Sequence, residues 1–93
     1  MYFSIRGQSG IGNEKILEAI KDSIQILFGI TGLSEINPRL IRYDEKGSRG
    51  ILLTNHLEVK RLRSAMAYIT RIQNAVVAFQ VIRVSGTIRG LRY

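Results

Sequence analysis

The spacing of apolar residues along this chain switches between a period of two and a period near 3.6, the difference between a half-buried strand and an amphipathic helix. Tyr2 to Arg6 alternates and predicts a strand. Gly7, Gly10 and Gly12 make a flexible connection. Asn13 is placed to cap a helix running to about Phe28, with Gly29 closing it. Ile16, Ile20, Ile24 and Leu27, joined by Leu17 and Phe28, form the apolar stripe. Glu14, Glu18, Lys21, Asp22 and Gln25 take the wet side. Thr31 to Asn37 reads as a loop, and Pro38 marks entry to the next strand.

Arg39 to Asp44 and Arg49 to Thr54 are two strand runs joined by Glu45-Lys46-Gly47-Ser48, a short hairpin connection. Asn55-His56-Leu57-Glu58 has capping-box spacing and opens a second helix that is expected to run to about Arg71. Val59, Leu62, Met66 and Ile69 line its buried side; Arg61, Ser64, Tyr68 and Arg71 line another. Gln73-Asn74 turns the chain into a last long strand, Val76 to Val84. The order strand, helix, strand, strand, helix, strand is the split β-α-β pattern of ferredoxin-like and RRM-like folds. The expected class is α+β: a βαββαβ sandwich with a four-stranded antiparallel sheet, two helices on one face and a short C-terminal helical turn. All of 1–93 reads as one domain, with no repeat or linker.

Charge then narrows the function. Fourteen Lys and Arg against seven Asp and Glu give a net charge of +7. Most of the cations are Arg, the side chain that grips phosphate with two parallel donors and stacks on bases. Nucleic acid is the first partner to consider and a membrane surface the second. No apolar run approaches the roughly 20 residues of a transmembrane helix. Met1 leads straight into Tyr2-Phe3-Ser4-Ile5-Arg6 without a signal-peptide pattern, so a cytoplasmic location is expected. The absence of Cys excludes disulfides, thiolate metal sites and a Cys nucleophile.

Catalytic candidates are thin. Gly7-Gln8-Ser9-Gly10-Ile11-Gly12 sits where phosphate loops live, yet it matches neither G-x-G-x-x-G nor the Walker spacing and reads as a connector. His56 is the only histidine and stands beside a helix cap, so a metal site would rest on carboxylates alone. Glu14 with Glu18, and Asp44 with Glu45, are the close acidic pairs, on a wet helix side and in a hairpin. No nucleophile, base and orienting group assemble, so no catalytic residue, metal ligand or cofactor of this chain's own is expected.

The basic residues form a more coherent set. Ser85-Gly86-Thr87 follows the last strand, and a short helix opening there would present free N–H groups to an anion. Arg89 and Arg92, three apart, would project from one side of that turn, with Arg83 just before it. Arg61, Arg63 and Arg71 on the second helix extend this candidate RNA contact. In RRM folds, rings on the first and third strands stack on bases. Here Arg49-Gly50 fits the third-strand motif, but Ile51 and Leu53 stand where rings are required, and Tyr2 or Phe3 supplies one ring at most. Phe3, Ile51 and Leu53 are therefore expected to form an apolar face for a protein partner.

Asn37-Pro38-Arg39-Leu40-Ile41-Arg42-Tyr43-Asp44 and Val84-Ser85-Gly86-Thr87-Ile88-Arg89-Gly90-Leu91 together resemble the archaeal ribonuclease P protein component 2 family, whose small RRM-like subunit is shared with the eukaryotic ribonuclease P and MRP complexes. The likeness covers essentially the whole domain. It departs at the N-terminus, where the family's basic leader is expected to be missing. The resemblance implies a non-catalytic subunit of an enzyme that removes the 5′ leader from precursor tRNA. In that complex an RNA performs the chemistry with divalent metal ions. It also implies pairing with a TIM-barrel-like subunit, component 3; self-association is a further expectation. The rival reading of the same fold is an ACT-type regulatory domain that binds an amino acid between sheets, with the glycine-rich first loop as ligand contact. A net charge of +7 argues against it.

Overall fold

A computed structural model describes residues 1–7, 10–72 and 74–84 of the chain. The elements are β1 (Tyr2–Arg6), α1 (Asn13–Ile36), β2 (Arg39–Asp44), β3 (Arg49–Leu53), a single 3-10 turn (His56–Glu58), α2 (Val59–Tyr68), β4 (Arg71–Ile72), β5 (Ala75–Val76) and β6 (Ala78–Arg83). The main sheet is antiparallel in the order β2-β3-β1-β6, and β4 with β5 form a separate small ribbon. This is the expected ferredoxin-like α+β arrangement.

The core lies between the sheet and the two helices. Phe3 and Ile5 from β1, Leu52 from β3, Ile16, Ile20, Ile24 and Ile36 from α1, and Leu62, Ala65 and Met66 from α2 are all buried in it. Gly50 is what lets the sheet close over Phe3. A Cβ at that position would lie 2.7 Å from Phe3 Cζ and 2.9 Å from the Arg42 carbonyl oxygen. The Phe3 ring stacks at 6.3 Å on Tyr43 and tilts against Phe79 at 5.7 Å. Between the helices, Ser23 Oγ donates to the Ala65 carbonyl at 2.6 Å, which satisfies a buried hydroxyl where α1 crosses α2.

Four boundaries differ from the sequence expectation. Gly29 does interrupt the first helix, at φ 73°, ψ −176°, but the chain resumes helical geometry at once and continues to Ile36. Burial explains the resumption: the stretch expected to be a loop carries Gly32 and Ile36 into the interior. It ends at Asn37, in the left-handed region at φ 43°, whose N–H returns to the Leu33 carbonyl at 2.9 Å. Its first turn is preceded by Gly12, not capped by Asn13. The second helix stops at Tyr68, short of Arg71, because Ile69 and Ile72 are drawn into the core and an extended backbone delivers them there. Buried Val77 likewise separates β5 from β6, its N–H bonded to the Thr70 carbonyl at 3.0 Å. The Asn55 cap forms as expected, its Oδ1 accepting from the Leu57 N–H at 3.0 Å.

Candidate nucleic-acid interface

The predicted RNA-binding residues fall into three groups. Ser85, Gly86, Thr87, Arg89 and Arg92 lie outside the described residues. Arg63 is exposed on α2, Arg71 is exposed on β4, and Arg83 is exposed at the end of β6. Arg61 is different. Its Nε donates to Glu58 Oε2 at 2.6 Å, its Nη2 donates to Glu35 Oε1 at 3.1 Å, and its guanidinium sits 5.4 Å above the Phe28 ring. Glu35 first and Glu58 second hold it in the charged form, raising its pKa. Arg61 ties the end of α1 to the start of α2 with its Nε and Nη2 donors, so its first role is in the fold and only its Nη1 donors are left for RNA.

A correction concerns the expected apolar partner face. Phe3 is wholly buried on the helix side of the sheet, because strand alternation puts it with Ile5 and not with Tyr2. Leu53 is half-buried, and Ile51 is only 8% exposed. That leaves too little apolar surface for a docking patch centred on these three.

What occupies the open face is arginine. Register places Arg42 opposite Ile51, Ile51 opposite Tyr2, and Tyr2 opposite Arg83. A second row runs Asp44, Arg49, Ser4, Gln80, and Arg39 pairs with Leu53 beside them. Two irregularities create the first row. In β2 the register shifts between Leu40 and Arg42, so Ile41 bulges out, and Arg39 and Arg42 come to the same face. In β6 it shifts opposite Tyr2/Phe3, so Ile82 is the extra residue and Arg83 reaches the partner position of Tyr2. Both bulges lie in edge strands, where they re-aim side chains.

Tyr2, Ile51 and Ile82 contribute apolar groups to a depression of about 320 Å3 on this face, with Arg42, Arg49 and Asp44 among its walls. Among the described residues Asp44 is the one carboxylate lining it, and its Oδ1 accepts the Lys46 N–H at 3.1 Å in the hairpin turn. Simple alternation hides this arrangement, since Arg39 and Arg42 are an odd number of residues apart. The signal that was available is the excess of arginine in β2 and β3 with few acids to match. Among the described residues no three His, Cys, Asp or Glu side chains cluster as a metal site. None of the described helices is long and apolar enough to cross a membrane.

A ferredoxin-like α+β domain with a guanidinium-lined open sheet belongs to the class of small basic domains suited to polyanions. Comparison with known proteins narrows the class. A model of the Rpp14/Pop5 family matches residues 2–93. The chain is 30% identical over 90 residues to ribonuclease P protein component 2 of Thermococcus gammatolerans, covering 97% of this chain and 75% of that protein. It is 29% identical over 91 residues to the protein of the same name from Pyrococcus horikoshii (97% and 75%), and 25% identical over 87 residues to that of Methanosarcina mazei (94% and 73%). This chain belongs to the Rpp14/Pop5 family.

Proposed function

We propose that this chain is a protein subunit of ribonuclease P that does no bond-making itself and supports a catalytic RNA in removing the 5′ leader from precursor tRNA. The observation that carries the reading is the family match across residues 2–93, joined by relatives named as ribonuclease P protein component 2. The +7 charge supports it physically, since arginines that neutralise phosphates let a compact RNA form at lower metal concentration. Divalent ions would serve the RNA; the chain's own role is to hold backbone. Its RNA contacts on this reading include Arg63, Arg71, Arg83, Ser85, Gly86, Thr87, Arg89 and Arg92. The protein partner is component 3, and the place of action is the cytoplasm. Ile26 and Ile30, on either side of the Gly29 break, and Tyr68 are strongly exposed apolar side chains on the helical layer, and they support docking there better than on the sheet. The ACT-type alternative has no observation in its favour.

Reconstitution tests the reading. Adding this chain and component 3 to the catalytic RNA is expected to stimulate precursor-tRNA cleavage, and no stimulation refutes it. With about five phosphates neutralised, the salt slope of RNA binding should lie near −3.5 to −4.5, at roughly −0.7 to −0.9 per contact. A slope near zero rules out backbone binding.

A further inference from the structure

We propose that the open face of the sheet is a seat for single-stranded RNA, with Arg42, Arg49 and Arg83 on the phosphates and a base lying over Tyr2, Ile51 and Ile82. The proposal rests on the reading of the chain as an RNA-holding subunit and deepens it by assigning a site and a class of RNA.

Charge complementarity selects the occupant. The row Arg42, Ile51, Tyr2, Arg83 crosses the whole sheet, with a guanidinium at each edge and apolar groups between. At about 4.8 Å between strands the row spans roughly 14 Å. Sheet-face RNA binders stack two or three bases on aromatic rings; with Phe3 buried, Tyr2 is among the described residues the one ring left to line this depression, so a single base is seated here. Arg49, in the adjacent row, adds a third cation at the wall of the depression. Among the described residues Asp44 is the one acid there, and it accepts a hydrogen bond from its own turn. A protein partner with an apolar docking patch would have to cover these guanidiniums without matching them, which is costly. A duplex is too broad and stiff to place a base on the Ile51 floor, whereas an unpaired strand offers both a backbone and free π-faces. The Tyr2 ring supplies stacking, the isoleucines apolar contact and the arginines backbone attraction, so binding should be strong in salt dependence and weak in sequence preference.

Full-length protein titrated with a fluorescein-labelled oligouridylate tests this by anisotropy. Arg42→Ala with Arg49→Ala is expected to weaken binding tenfold or more and to flatten the salt slope by about 1.4, at roughly 0.7 per lost contact. Tyr2→Leu keeps the strand apolar and should weaken binding about fivefold or more with the slope unchanged. Denaturant midpoints confirm that the variants fold, and Arg42→Lys with Arg49→Lys should recover most of the slope. Crosslinks from 4-thiouridine are expected in β1 or β3. Unchanged affinity and slope in the double alanine variant overturn the proposal. So do crosslinks confined to residues 85–93, although the wild-type chain then still binds RNA and the subunit reading stands. Loss of component 3 capture with oligouridylate binding intact makes the face a protein surface, and the proposal falls. A wild-type chain that binds no RNA and does not stimulate cleavage fails the subunit reading itself.

Discussion

Arg61 on the helical layer and Arg42 on the open sheet carry the same guanidinium to opposite ends. Arg61 finds Glu58 one helical turn before it, Glu35 at the end of the neighbouring helix, and the Phe28 ring beneath. Its charge is answered within the molecule. Arg42 stands on an edge strand with Ile51 across from it and Asp44 turned toward its own hairpin. Its charge is directed outward. Whether an arginine serves the fold or a ligand is therefore decided by which carboxylates the topology brings within reach, and sequence neighbours alone do not reveal that.

The contrast can be broken from either side. Phe3→Ala should have the largest effect, costing about 3–5 kcal/mol by removing the ring that joins β1 to Tyr43 and Phe79. Urea denaturation would measure it, and a loss below about 1 kcal/mol would mean that Phe3 is not core. Gly50→Ala should cost about 1–3 kcal/mol, because the added methyl meets Phe3 Cζ and the Arg42 carbonyl. It should also disturb RNA binding, since β3 would have to move beneath the depression. Arg61→Ala should lower the melting temperature less than either of these and leave the salt slope of RNA binding unaltered. A flattened slope there would place Arg61 among the RNA contacts. Arg63→Ala should leave stability within about 0.5 kcal/mol, as expected for an exposed side chain with no ion pair among the described residues, while weakening RNA binding slightly.

Much of the architecture was legible because local rules and tertiary packing agreed. The Ile16, Ile20, Ile24 stripe, the Asn55 cap and the hairpin after Asp44 each follow from spacing or turn chemistry, and each formed. Where they disagreed, packing prevailed. Gly29 stops a helix locally, yet burying Ile36 needs helical geometry to resume. Arg71 continues a helical pattern, but Ile69 and Ile72 reach the core only from an extended chain. The site was less legible for a related reason. The row from Arg42 to Arg83 depends on two one-residue register shifts, and a shift of that size exchanges the faces of a strand. Ion pairs such as Arg61–Glu35 span sequence-distant elements and leave no periodic trace.

The kinks in the two outer strands also govern how copies of the chain meet at high concentration. A straight, flat outer strand is a template onto which a foreign strand can zip, and that is how native sheets begin to stack into fibrils. With Ile41 and Ile82 displaced from regular pairing, both borders of the sheet are broken as templates, and arginines on the two borders add repulsion between like molecules. The irregularity that aims these side chains thus also guards a protein with a long apolar interior against aggregation.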